Sequence, residues 1–382
     1  MNIVSAPTTD PAPAPQAAPV SDSRPRILFD AHLDLSMNAQ DFNRDLRWTQ
    51  ERLRRRESGQ TDQPFRGRST VCFPEMRRGR VGLCVATQIA RSVDYFSRMP
   101  GWFSPEQAWA HTQGQLAWYR EMEAVGELVQ IRNKEQLDFQ LRSWAGADDV
   151  SRLPIGYILS LEGADSLVSF RHLERAYADG LRAIGPVHYG PGVYGMGTDA
   201  VGPLTARGRE LLPQLEELGM ILDVTHLCDE SFRDALDRFH GPVWASHSNC
   251  RALAHWNRQF TDDQLRELIE RGAVIGMALD AIMLVHGWQH HRSRPADFNL
   301  RLDRVCDHID HICQLAGNSR HVGIGSDLDG GFGTEQTPMD VDSIADLARL
   351  SDLLAARGYS AADIDGILYG NFVAFLQRAW RE

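Results

Sequence analysis

Eight short apolar runs rich in Val, Ile and Leu, separated by longer stretches of helical periodicity, most narrow what this chain can fold into. A parallel sheet covered by helices needs this alternation, because parallel neighbours are joined by crossovers that bury both sheet faces. The expected strands are Arg26–Asp34, Val81–Ile89, Ile155–Glu162, Leu181–His188, Met220–His226, Pro242–His247, Ala273–Asp280 and His321–Asp327. Eight strands close a barrel, so the fold class expected is α/β, a TIM-like (β/α)8 barrel with insertions. Helices are expected at Ala206–Leu218, Asp229–Phe239, Thr261–Arg271, Asp297–Ala316 and Ser360–Trp380. Thr261 before Asp262 and Asp263 reads as an N-cap, and Gly272 as the matching stop.

Composition excludes whole classes of function. Residues 1–25 are rich in Pro and Ala and read as a disordered leader, ahead of one metallohydrolase barrel domain over 26–382. The leader has neither the basic start nor the apolar run of a secretory signal, and no run of 18 apolar residues offers a membrane helix. A formal charge of -11 argues against nucleic acid as a partner. The six cysteines form no CxxC pair, as expected of reduced thiols in a cytoplasmic protein. Lys134 is the single lysine among 40 basic residues, and it sits in a polar segment with the look of a helix surface. Schiff-base chemistry, a Walker-type GK[ST] loop and a metal bridge built on a modified lysine therefore drop out.

How the strands end is more telling. Seven of the eight close on a titratable residue: Asp34, Glu162, His188, His226, His247, Asp280 and Asp327. In a (β/α)8 barrel these ends converge on one mouth, where active sites lie. His32 and Asp34 are two apart, so in a strand they share a face. With Glu162, His226 and His247 they form a set of N and O ligands suited to zinc, with manganese or cobalt as substitutes because no thiolate commits the site. Five ligands exceed the needs of one ion. If Glu162 bridges with its two oxygens, two ions about 3.5 to 4 Å apart could hold a hydroxide nucleophile between them.

Asp327 is free of ligand duty once the other five are used, and is assigned the proton transfer, first as general base and then as acid. Asp329, two residues on and before Gly330 and Gly331, reads as a turn residue. His188 precedes the glycine-rich loop YGPGVYGMG. It can act as a sixth ligand, as a donor to a developing oxyanion or as a packed histidine, and the oxyanion role fits its position best. The loop lacks a GxGxxG between strand and helix, which argues against a dinucleotide site.

The segments FDAHLD, LSLEGAD, LDVTH, SHSNCRAL and HVGIGSDLDGG, in this order, resemble the renal (membrane) dipeptidase family of metallopeptidases within the amidohydrolase-like superfamily. The likeness runs from about Ile27 to Arg381. It implies two Zn2+ per chain, one on His32 and Asp34, one on His226 and His247, with Glu162 between them. It also implies that His188 contacts substrate near the scissile carbonyl, that Asp327 handles the proton, and that Arg258 in NRQFTDDQL holds the substrate carboxylate, with Arg251 as the competing choice. A homodimer and tolerance of a C-terminal D-residue are further implications. The expected function is thus a binuclear zinc dipeptidase. Its alternatives are a hydrolase of the same fold acting on another small amide, lactone or ester, and a binding protein that keeps metal without turnover.

Departures from the family pattern lie on the substrate side: Gln259 replaces the usual Asn, and MALDAIMLVHGWQHH, with Asp280, His286, His290 and His291, replaces a polar and aromatic segment. His308 and His311 fall on a helix leading to the last strand and read as structural. His290 and His291 read as a solvated loop, and the run Leu53–Arg56 as a helix surface.

Overall fold

The computed structural model describes residues 26–97, 99–290 and 292–381; the leader and His291 lie outside them. Among the described residues there are nine parallel strands: β1 (Leu28–Leu33), β2 (Val81–Ile89), β3 (Leu128–Gln130), β4 (Ile155–Glu162), β5 (Leu181–Gly185), β6 (Ile221–Asp223), β7 (Val243–Trp244), β8 (Ile275–Met277) and β9 (Val322–Ile324). Eight of them run in the order β7-β6-β5-β4-β2-β1-β9-β8. A bridge between Ala245 and Ile275 joins the two ends, so the sheet is a nearly closed TIM-like (β/α)8 barrel. At that seam a Cβ at Gly276 or Gly325 would fall within 2 Å of the Ser246 carbonyl oxygen, a backbone approach that only glycine allows.

The ninth strand is a departure from expectation. β3 pairs with the first three residues of β4, on the edge that β5 takes up from Leu159 onward. Its three residues fall below the length at which a periodic pattern stands out.

Six expected strands also prove shorter than their apolar runs, the first of them reduced to Leu28–Leu33. His188, His226, His247, Asp280 and Asp327 each lie three residues past the ladders of β5 to β9, on the turns that leave them. His226 (φ 70°) and Asp327 (φ 58°) adopt left-handed backbone there, and so does Asp329 (φ 62°). Such conformations end a strand and re-aim the side chain.

Helices cover the barrel largely where the periodicity puts them. Ala206–Leu218, Asp229–Arg238 and Asp262–Glu270 form, the last with Thr261 and Gln264 in a reciprocal capping box. The long helix expected from Asp297 is instead a short 3-10 turn, Pro295–Phe298, then left-handed Asn299, then a helix over Asp303–Ala316. The C-terminal stretch divides into Ala361–Asp365, a π turn over Gly366–Gly370 and Asn371–Ala379. Phe372 and Phe375 of the last helix pack on Trp244, and Phe372 also on Phe29, filling space near the strand starts, remote from the mouth. All six cysteines are free thiols. Among the described residues no helix is long and apolar enough to cross a membrane.

Candidate metal centre

At the mouth, the carboxylate of Glu162 is the hub. Its Oε2 lies 3.5 Å from His32 Nε2, while Oε1 lies 3.1 Å from His226 Nε2 and 3.4 Å from His247 Nε2. The two oxygens of one carboxylate thus address two different groups of imidazoles. His32 Nε2 is also 3.8 Å from Asp34 and 3.9 Å from Asp327. Donor atoms cluster as His32, Asp34 and Asp327; as His32, Glu162 and His247; and as Glu162, His188 and His226. All five expected ligands come together, and Asp327 and His188 stand at the edges of the same cluster.

The backbone explains why. His32 is the fifth residue of β1, and Asp34 follows the strand as the N-cap of Leu35–Gln40. The Asp34 carboxylate accepts a hydrogen bond from Thr87 of β2. Ser246 Oγ lies 2.9 Å from His247 Nδ1, and Thr198 Oγ1 lies 3.1 Å from His226 Nδ1, so each ring is oriented through its outer nitrogen with Nε2 turned toward Glu162. Two buried carboxylates fix the turns beneath: Asp223 accepts from the amides of Thr225 and Ser246, and Asp30 from those of His32 and Ser326.

Burial dominates the electrostatics. It holds the imidazoles of His188, His226 and His247 well below their usual protonation range, and the charge of Arg258 adds to this for each. Neutral imidazoles keep the lone pairs that a ligand must offer. Burial also pushes the carboxyls of Glu162 and Asp327 up, against the charge of His32. For His32 burial acts downward, but the negative charges of Glu162 and Asp34 outweigh it and raise the ring.

These residues fit a bound cation. His32 Nε2 is buried with no hydrogen-bond partner, and its three carboxylate neighbours stand too far off to accept a hydrogen bond. Stranding a polar atom costs about 1–3 kcal/mol, and three carboxylates crowded in low dielectric repel one another. A divalent ion would relieve both, and oxygen and imidazole ligands without thiolate suit zinc, manganese or cobalt.

Arg258 is buried beside this cluster, donating through Nη1 to Ser248 Oγ and through Nη2 to the His247 carbonyl, both at 2.8 Å. Two of its five N–H groups are thereby used. Arg251 instead grips Asp229 with both terminal nitrogens, at 2.8 and 2.6 Å, outside the ligand cluster. Gln259 spans Asn249 and Met283, tying the altered segment to the turn after β7. Asp280 caps Ala281–Leu284 and accepts from Gln336 at 2.8 Å.

Asp329 needs correction. Rather than a plain turn residue, it is a fully buried anchor, accepting from the Thr70 amide and hydroxyl, both at 2.8 Å, from the Val71 amide at 3.0 Å, and lying 3.3 Å from Arg44. His308 is structural, accepting from the Cys250 amide, and His311 pairs with Asp262. His290 is exposed, and the Leu53–Arg56 run lies on the helix Gln50–Glu57.

Sequence reasoning missed Arg91, whose guanidinium contacts His188 Nδ1. β2 was the one strand with no titratable residue at its end. Arg91 lies two positions past Ile89, outside the expected strand, and its residue type alone does not single it out.

The sequence profile of the membrane dipeptidase family, peptidase family M19, matches residues 22–382. A Klebsiella pneumoniae protein from the pqqA 5′ region is 32% identical over 257 residues, covering 64% of this chain and 90% of that protein. A Schizosaccharomyces pombe protein described as a dipeptidase is 29% identical over 178 residues, covering 47% of this chain and 40% of its own. Apart from the Klebsiella protein, the chain spans about a third to a half of the first curated relatives it matches. A crystal structure of a metallopeptidase from Rhodobacter sphaeroides, liganded with a phosphinate mimic of the dipeptide L-Ala-D-Ala, has the same fold. It aligns with a TM-score of 0.74 at 23% identity, over 93% of this chain and 99% of that one.

Proposed function

Because the chain belongs to the membrane dipeptidase family, we propose that it is a binuclear zinc dipeptidase that hydrolyses the amide bond of small dipeptides. The observation that carries this reading is the split of Glu162, one oxygen toward His32 and the other toward His226 and His247. We assign one ion to His32 and Asp34 and the other to His226 and His247, with Glu162 shared. Bound there, the ions would activate water and polarise the scissile carbonyl.

The remaining steps belong to the protein's own side chains. Arg258 holds the free carboxylate of the substrate with the N–H groups that Ser248 and His247 leave unused, which sets the scissile bond at a fixed distance from the cluster. Asp327 takes the proton released as water attacks and passes it to the leaving amine. Its burial-raised carboxyl suits a group that must hold a proton between the two steps. His188 donates a hydrogen bond to the oxygen on which negative charge develops. The L-Ala-D-Ala mimic bound by the Rhodobacter sphaeroides protein supports acceptance of a D-residue at the C-terminal position here.

Elemental analysis of purified protein, paired with hydrolysis of L,L- and L,D-dipeptides with and without chelator, tests the reading. Two zinc per chain and chelator-sensitive cleavage are expected. Two metals without cleavage of any dipeptide would move the assignment to another small amide, lactone or ester, and failure to bind metal after reconstitution would overturn it.

A further inference from the structure

A guanidinium can only donate hydrogen bonds, and it keeps its charge at every pH a protein survives. Where one meets an imidazole nitrogen, that nitrogen must be the acceptor. Arg91 Nη2 meets His188 Nδ1 in this way. The proton of the neutral ring is then confined to Nε2, the nitrogen that faces the cluster, 3.8 Å from Glu162 Oε1. A protonated Nε2 has no lone pair for a metal but is a hydrogen-bond donor.

We infer that Arg91 is a positioning residue that locks His188 in its Nε2–H tautomer and so makes it a donor to the substrate oxygen rather than a sixth metal ligand. The inference rests on the role given to His188 above and names what enforces it.

Arg91 is well placed for this task. It lies two residues past β2, and its carbonyl accepts from the Trp102 amide at 2.8 Å while Nη1 reaches the Pro100 carbonyl at 3.3 Å, so the following loop grips both its backbone and its side chain. The facing negative charges are Asp165 and Glu162. Asp165 is itself buried and fixed by the Val193 amide at 2.9 Å, giving the guanidinium a stationary counter-charge. The ring of His188 is further bounded by Tyr189 and His226, at centroid distances of 4.9 and 4.3 Å. His226 has its own Nδ1 partner in Thr198, so Arg91 is the group that decides the proton position on His188.

The test is long-range 15N–1H spectroscopy of zinc-loaded protein labelled at histidine, with His188 assigned by its loss in His188→Asn, together with kinetics of Arg91→Met and Arg91→Lys. The wild-type spectrum should show His188 Nδ1 as the unprotonated nitrogen, and Arg91→Met should lose that pattern. Loss of one preorganised oxyanion donor costs about 10²–10³ in rate, and a donor mispositioned rather than deleted should lose about 10- to 100-fold in kcat. KM and metal content should stay as in wild type, and Arg91→Lys, which keeps a charged donor, should recover part of kcat. A protonated Nδ1 in the wild type overturns the proposal whether or not the variants fold. So does a rise in KM with kcat unchanged, which would make Arg91 a substrate anchor. Full kcat in His188→Asn would instead remove the role of His188 on which the proposal rests, a result distinct from full kcat in Arg91→Met beside a crippled His188→Asn.

Discussion

Asp327 and Asp329 stand two residues apart in GSDLDGG, both with left-handed backbone, Asp327 partly exposed and Asp329 buried, yet they should fail in opposite ways when each is changed to Asn. Asn is the right probe because it tolerates positive φ, whereas Ala would add strain of about 1–2 kcal/mol at either position. At Asp329 the amide can keep the two bonds from Thr70, but its NH2 must then face the Val71 N–H and Arg44, donor against donor. The orphaned Val71 amide costs about 1–3 kcal/mol. Arg44 retains Glu57 and Asn38, so its share is smaller, and the sum is about 2–4 kcal/mol. With an unfolding entropy of about 2.1 cal/mol/K per residue, 382 residues give about 0.8 kcal/mol/K, and Tm should fall by about 2.5–5 °C. Calorimetry on chelated protein reads this without the stabilisation that metal binding adds. In the metal-loaded enzyme Asp329→Asn should keep wild-type kcat. Asp327→Asn should keep both metals and the Tm while losing about 10²–10⁴ in kcat, or about 2.7–5.4 kcal/mol of barrier. The reasoning is refuted if Asp329→Asn cuts kcat while Tm holds, or if Asp327→Asn turns over at the wild-type rate.

The remaining predictions concern the cluster and its rim. Glu162→Gln removes the charge that both groups of imidazoles face, so elemental analysis should find less than one tightly held ion per chain; two retained ions would refute the shared role. Arg258→Met should raise KM by about 10- to 100-fold for dipeptides, the worth of one or two charged hydrogen bonds, and should leave a substrate lacking the carboxylate unaffected. Burial lifts Asp280 to about 7, against the hydrogen bond from Gln336. From about pH 4, where the unfolded carboxyl ionises, to about 7, the native state therefore holds an extra proton, and stability from this group should decline across that window and level off above it. Urea midpoints of chelated protein against pH should show this slope in the wild type and lack it in Asp280→Asn.

What the sequence reveals about the site is set by the barrel itself. His32, Asp34, Glu162, His226 and His247 are legible because each follows an apolar run, and parallel strands in a closed sheet carry their C-terminal ends to one place whatever the intervening loops do. The turns that aim them are less legible. The ladders of β6 to β9 hold only two or three residues, and the apolar run continues past them because buried turns need apolar neighbours as much as strands do. The anchoring role of Asp329 is illegible for a related reason: turn chemistry depends on three or four adjacent residues, whereas its partners Thr70, Val71 and Arg44 lie more than 250 positions away. The break after Phe298 was hidden because Asn299 adopts left-handed backbone within an otherwise helical pattern.

Arg91 shows where the limit falls. A ligand set announces itself by residue type, since few side chains can bind a metal, but an orienting group announces itself only by what it touches. Arginine is one of 39 in this chain, and nothing in its neighbours distinguishes position 91 until the turn after β2 is seen beside His188. The chemistry of the contact is then unambiguous, because a side chain that can only donate fixes the proton on the ring it meets. In a site of this kind residue type and strand ends pick out candidate ligands, the donors and acceptors behind each ring fix its orientation, and that orientation divides the labour between an imidazole suited to metal and one suited to the substrate.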